Sequence, residues 1–454
     1  MASMPRSNPI FICSACTGET LKWQGQCPLC GEWNTLEART APRRRTPLST
    51  APAAAPRVLA SAGSVQRAST GQQELDRVFG GGLVPGSVTL LGGDPGIGKS
   101  TLLLQVAAHI AQSGAVLYAS GEESVDQVGL RARRLGVAQS AGLSVVAESD
   151  LETILAFAGE RRASLLVIDS IQTAQLSSIA ASAGAVSQLR ECTAELVRFA
   201  KTTGTVILII GHVTKEGTIA GPRVLEHLVD TVLYFESEAG SRYRMVRATK
   251  NRFGAVNELG FFAMLESGLK EVRNPSAIFL SRASEPAAGS IVTVTREGGR
   301  PLLIELQALV DRMRFGVPRR IAQGLDSNRV AMLLAVLNRH AALSLQEHDV
   351  FVNVVGGLEI TETAWDLPVV MALASSLQDR VVPNSLVSFG ELGLTGEVRP
   401  VAYGEERLRE AQKQGFRTAV IPKENAPRKE VEGLTVLPVS RVGEALEAAL
   451  GRRV

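Results

Sequence analysis

The sequence contains no run of 18 or more apolar residues. Its longest strongly apolar stretch, TVILIIG (205–211), has the length of a buried strand rather than of a membrane span. The opening MASMPRSNPIFICSAC lacks a basic segment followed by a long apolar core, so an export signal is not expected and a cytoplasmic protein with no membrane partner is. Charge of either sign is nearly balanced, at +3 overall, so any polyanion site must come from local clustering. Cysteine is scarce, five in 454 residues, and four of the five crowd between positions 13 and 30. The fifth, Cys192, lies in the helical pattern LRECTAELVRFA and reads as a buried, inert thiol. A chain of this length predicts two or three cores.

The spacing C-x2-C-x10-C-x2-C sets Cys13, Cys16, Cys27 and Cys30 as two pairs that can pinch one tetrahedral Zn²⁺. Four thiolates leave no open coordination position, so the metal is expected to be structural, with Trp23 and Trp33 covering one face of a small ribbon over 1–37. Whether such a finger touches DNA or protein stays open. The stretch 38–57, ARTAPRRRTPLSTAPAAAPR, has no acidic residue and no apolar periodicity; it reads as a flexible basic linker, either a solvated spacer or a phosphate-contacting arm.

From 58 to 274 short apolar runs alternate with helical patterns, which predicts a largely parallel α/β sheet with its active residues at the carboxyl ends of the strands. One run, SVTLLGG, leads into GDPGIGKS (93–100) and then into a helical stretch, the context of a phosphate loop. Gly93, Asp94, Pro95, Gly96, Ile97 and Gly98 would curl backbone N–H groups around ATP phosphates, continued by Thr101, with Lys99 on the β- and γ-oxygens and Ser100 on Mg²⁺. Asp169, ending SLLVIDS, is the second Mg²⁺ candidate. Of Glu122 and Glu123, which follow the strand AVLYAS, Glu122 is favoured as the water-activating base because it leaves the strand first. His212, ending TVILIIGH, stands where it can sense the γ-phosphate. By itself RATKNRFGAVNE (247–258) reads as a basic turn between strands.

The cysteine-rich front, the stretch TGQQELDRVFGGGLVPGSVTLLGGDPGIGKSTLLLQ (70–105) and KNRFG (250–254) together resemble the RecA-like ATPases, and within them the bacterial RadA (Sms) DNA repair family, over essentially the whole chain. The resemblance implies a RecA-like P-loop core and a hexameric ring that acts on single-stranded DNA and branched recombination intermediates beside a RecA-type recombinase. It also implies that Lys250 and Arg252 reach the γ-phosphate of a neighbouring subunit, and that Lys215 and Arg223, in VTKEGTIAGPRVLEHLVD (213–230), face a DNA channel. That loop has no aromatic residue, so base stacking is not expected there.

Residues 275–454 read as an α+β domain similar to that of Lon-type peptidases, carried by DVFVNVVGGLEITETAWDLPVVMALASSL and FGELGLTGEVRPVAYGEERLREA. Aligned by eye, Asp366 falls at the nucleophile position and Glu405 at the lysine position, and neither residue type can perform that step. Ser375 and Ser376 read as packing residues, and Glu405, Arg407 and Arg409 as a charged helix face. The domain is therefore expected to serve ring assembly. An ATP-driven DNA motor is the leading expectation, against a non-motor regulatory ATPase or an ATP-dependent protease.

Overall fold

A computed structural model of the chain describes residues 10–13, 19–20, 22–39, 66–212, 224–237, 241–280, 287–313 and 316–451. They fall in two compact units, Met1–Ser64 and Val65–Val454. Among the described residues no helix is long and apolar enough to cross a membrane.

The first unit is an antiparallel ribbon of β1 (Ile10–Cys13), β2 (Glu19–Thr20) and β3 (Leu36–Arg39), ordered β2-β1-β3. Pairing of Ile10 with Arg39 carries the ribbon through positions 38 and 39, which the sequence had assigned to the linker. Its core is Cys13, Cys27 and Leu36, with Phe11 against them. Trp23 and Trp33 are 59% and 67% exposed and do not form the expected cover; a ribbon this small has no second layer under which to bury an indole.

In the second unit α1 (Gln73–Phe79) leads into β4 (Val88–Gly93), α2 (Lys99–Ile110), β5 (Val116–Ser120), α3 (Val125–Arg134), β6 (Leu143–Ala147), α4 (Leu151–Glu160), β7 (Leu165–Asp169), α5 (Val186–Thr203), β8 (Val206–Ile210) and β9 (Thr231–Glu236). Three further strands follow: β10 (Tyr243–Asn251), β11 (Leu259–Leu265) and β12 (Gly268–Glu271). They form one nine-stranded sheet ordered β12-β11-β10-β9-β4-β8-β7-β5-β6. From β9 to β6 every pairing is parallel, and from β9 to β12 every pairing is antiparallel. Alternate residues of the central strands enter opposite cores: Leu165 and Val167 of β7 join Leu102 and Val106 of α2, while Leu166 and Ile168 join Leu189, Cys192 and Leu196 of α5. Burial on both faces is why these strands are unbroken apolar runs. Cys192 is fully buried there, and burial pushes its thiol up to about 11. KNRFG is not simply a turn: its Lys250 and Asn251 pair in register with Val232 and Thr231 of β9, after a bulge at Thr249.

The remaining chain builds a seven-stranded sheet from β13 (Ser290–Glu297), β14 (Arg300–Arg312), β15 (Arg320–Gln323), β16 (His348–Val354), β17 (Leu386–Ser388), β20 (Thr418–Pro422) and β21 (Thr435–Val439), ordered β15-β16-β14-β13-β17-β20-β21. A two-stranded ribbon, β18 (Glu391–Leu392) with β19 (Val398–Arg399), and helices α6 (Ser327–His340), α7 (Asp366–Gln378), α8 (Gly404–Lys413) and α9 (Val442–Leu450) complete it. The turn between β13 and β14 locks this sheet to the first. Arg300 meets Glu74 of α1 at 2.8 Å, Glu297 meets Arg247 of β10 at 3.2 Å, and the Gly299 N–H donates to Glu258 at 2.6 Å. A Cβ at Gly299 would lie 2.4 Å from that carboxylate, so a larger residue there would have to displace the Glu258 side chain.

Candidate active site

The carboxyl ends of β4, β5, β7 and β8 open onto a cavity of about 620 Å³ lined by the phosphate-loop residues Pro95, Gly96, Gly98, Lys99, Ser100 and Thr101 together with Glu122, Glu123, Arg131, Arg134, Asp169 and His212. Gly98 has φ +118° and caps α2. A Cβ on it would lie 2.5 Å from the Met264 methyl, so the loop can close over the helix N-terminus only with glycine there. Lys99 is 3% exposed, and its Nζ donates to the carbonyls of Gly93 at 2.7 Å and Asp94 at 2.8 Å. Burial pushes Lys99 down to about 8, with Asp169, Asp94 and Glu122 opposing.

Phosphates beside that ammonium raise its pKa again, so nucleotide binding must take up protons wherever free Lys99 is partly neutral. At pH 8 the uptake is expected to be about half a proton per site. Calorimetry in buffers of different ionisation enthalpy reads it directly: a positive slope at pH 8 that disappears by pH 6.5, and no slope at either pH if the assignment is wrong.

Asp169 ends β7 at 5% exposure, and its Oδ2 accepts from the Tyr118 hydroxyl at 2.5 Å. Burial, with Asp169 adding to it, raises the Tyr118 phenol well above its ordinary value, so the hydroxyl stays a donor and fixes the carboxylate. The two glutamates separate by partner. Glu123 is ion-paired with Arg131 of α3. Glu122 Oε1 accepts from Ser170 Oγ at 2.5 Å and meets His212 Nε2 at 3.2 Å. The peptide bond between Asp169 and Ser170 is cis.

Thus Lys99, Ser100, Thr101, Glu122, Asp169 and His212 share one cavity with Arg131 and Arg134, and Tyr118 and Ser170 bond to its carboxylates; the sequence reading named none of these last four. Lys250 and Arg252 lie elsewhere. Asn251 pairs with Thr231 at the start of β9, whereas Gly93 pairs with Phe235 near its end. Four residues of strand put them about 13 Å from the chain's own phosphate loop, at the opposite edge of the sheet. Lys215 and Arg223 are outside the described residues.

In the ribbon, the sulfurs of Cys13, Cys27 and Cys30 lie within 4.8 Å of one another, and those of Cys13 and Cys30 are 3.6 Å apart. That separation is close to the edge of a tetrahedron with bonds of about 2.3 Å and far longer than a disulfide. Cys16 is outside the described residues.

The region resembling the peptidase centre is occupied by ion pairs. Asp366 has no exposed side chain; its carboxylate takes Arg329 Nε at 3.2 Å and the Leu392 N–H at 3.1 Å, and burial pushes it up. Ser375 Oγ donates to the Arg380 carbonyl at 2.5 Å, and Ser376 Oγ accepts from the Val310 N–H at 2.9 Å. Arg407 corrects the expected charged helix face. It is 1% exposed and bonded to Glu362, while Glu405 and Arg409 stay outside. The buried stripe of α8 is Gly404, Arg407, Leu408 and Ala411, the i, i+3, i+4, i+7 rhythm of a core-facing helix.

A phosphate loop at the carboxyl edge of a mixed sheet of this order, with a strand-end aspartate and a glutamate facing the same cavity, defines a RecA-like P-loop ATPase. Residues 54–218 match the family described as AAA domain, 325–425 that described as Subunit ChlI of Mg-chelatase, and 11–38 that described as Rubredoxin metal binding domain. The chain belongs to the RadA family of DNA repair proteins. It is 51% identical to DNA repair protein RadA of Pseudomonas aeruginosa over 98% of this chain and 99% of that one, and 50% identical to that of Escherichia coli K12 over the same shares. With RadA of Bacillus subtilis 168 it shares 49% identity over 99% of this chain and 100% of that one. The ATPase domain implies a nucleotide and Mg²⁺, and the C-terminal sheet is the Lon-like part of the architecture.

Proposed function

We propose that this chain is a DNA-dependent ATPase of recombinational repair that works as a ring of identical subunits, hexameric in number. It binds single-stranded DNA and drives branch migration or unwinding of recombination intermediates beside a RecA-type recombinase. The observation that carries the ring is the distance of Lys250 and Arg252 from their own phosphate loop: cations at the far edge of the sheet have a nucleotide to serve only on a neighbouring copy. Within one site, Ser100 and Asp169 would hold Mg²⁺, Lys99 contacts the phosphates, Glu122 activates the attacking water, and His212, 3.2 Å from Glu122, senses the γ-phosphate at the start of the segment that follows β8. That segment carries Lys215 and Arg223, the proposed DNA contacts. Four cysteines, Cys13, Cys16, Cys27 and Cys30, hold one structural Zn²⁺.

Titrating ATP turnover against single-stranded DNA at several salt concentrations tests the function. Turnover is expected to rise with DNA, and the half-saturating DNA concentration to climb steeply with salt and differ little between base sequences. A rate indifferent to DNA would favour a purely regulatory ATPase. Arg252→Ala and Lys250→Ala are each expected to bind ATP normally yet to lose at least about tenfold of the stimulated rate. Normal turnover in both would remove the finger assignment.

A further inference from the structure

The two basic residues of KNRFG are held in different ways. Lys250 Nζ donates to the carbonyls of Glu226 at 2.6 Å, Val229 at 2.9 Å and, more weakly, His227 at 3.5 Å, contacts that it must exchange to reach an oxyanion. Arg252 is fastened by a single guanidinium nitrogen, Nη1 to Asp230 Oδ1 at 3.2 Å, with its backbone N–H on the Asp230 carbonyl at 3.2 Å. Its side chain is 57% exposed. Asp230 is the opposite, 4% exposed and fixed from two further directions: Lys201 Nζ of α5 at 2.8 Å and the Val88 N–H of β4 at 3.1 Å both reach Oδ2.

We propose that Asp230 is a positioning residue for Arg252: an immobile carboxylate that grips one nitrogen of the guanidinium and presents the others to the nucleotide of the neighbouring subunit. The inference rests on the finger reading of Arg252 given above. A guanidinium with one nitrogen tied and the rest free keeps its remaining donors for an oxyanion and has less rotamer freedom to lose on engaging it. Lys201 already balances the aspartate charge, so the grip orients Arg252 without cancelling its positive field.

The test uses the full chain and three variants. Asp230→Asn keeps an oxygen for the Val88 N–H and removes the charged grip. Its turnover at saturating ATP and single-stranded DNA is expected to fall about three- to tenfold, with KM for ATP and ring assembly unchanged. In an Arg252→Ala background the same substitution is expected to cost nothing further, because the effect passes through Arg252. A multiplicative loss in the double variant, or no loss in Asp230→Asn, overturns the proposal while leaving the finger reading intact. Full turnover in Arg252→Ala overturns the finger reading, and the proposal falls with it.

Discussion

Glutamine at position 122 is expected to cut ATP turnover about 10²- to 10⁴-fold while holding nucleotide affinity within about threefold. The expectation comes from how the two adjacent carboxylates are used. Glu123 is tied to Arg131 and braced through its own N–H on Ser120 Oγ at 3.0 Å, which commits it to holding α3. Glu122 is 43% exposed at its side chain, lines the cavity beside Lys99 and Asp169, and engages Ser170 and His212 through Oε1 alone. The base role proposed for Glu122 falls to its other oxygen. Glutamine can keep the Ser170 hydroxyl as a donor partner but cannot take a proton, so binding survives and the chemical step does not. Phosphate release under saturating ATP measures the first quantity and equilibrium titration of a fluorescent nucleotide the second. A turnover within tenfold of the parent chain would take the base role from Glu122. Glu123→Gln, by contrast, removes a half-buried ion pair and is expected to change turnover by no more than about tenfold.

The elements legible in the sequence are those whose environment is uniform. β4, β5, β7 and β8 are buried on both faces and read as continuous apolar runs. β10 escaped because its residues answer to three different neighbours: Arg244 Nε donates to the Ile97 carbonyl of the phosphate loop at 3.1 Å, Arg247 pairs with Glu297 across the domain junction, and Lys250 sits on the carbonyls near Val229. A strand with that many arginines has no period to detect, and only the fold brings its partners together. The site divides in the same way. Lys99, Ser100 and Asp169 belong to motifs whose spacing carries the mechanism, whereas Tyr118 looks like one more apolar strand residue until Asp169 is found beside it. Arg131 and Arg134 offered a weak signal, two arginines three apart on a helix that begins at a strand end, but nothing in one sequence says which face of that helix turns toward the phosphates.

Arg407→Met is expected to destabilise the C-terminal sheet by about 3 kcal/mol, the lower end of what is lost when one member of a buried ion pair is removed. The guanidinium is almost completely enclosed, and each nitrogen is used: Nε on the Ala402 carbonyl at 3.0 Å, Nη1 on the Val294 carbonyl at 2.5 Å and on Glu362 at 2.8 Å, Nη2 on Glu362 at 2.6 Å. Glu362 in turn takes the Thr295 hydroxyl and the Arg296 N–H, each at 2.7 Å, so the pair ties α8 to β13. Methionine fills most of the volume but strands the Val294 carbonyl and a carboxylate; the 27% exposure of the Glu362 side chain lets water relieve part of that cost. Arg409→Ala is the matched comparison on the same helix. Its pair with Glu405 is 72% and 59% exposed, and its loss is expected to cost no more than about 0.5 kcal/mol. Denaturant unfolding of the full chain, followed by a probe in the C-terminal sheet, separates the two. A loss below about 1 kcal/mol for Arg407→Met would mean that the arginine is dispensable to packing. A large loss would mean that α8, the helix at which a peptidase would keep its lysine, is held here by a structural arginine two residues further on, and that restoring a lysine at Glu405 alone would leave it on the solvent side of that helix.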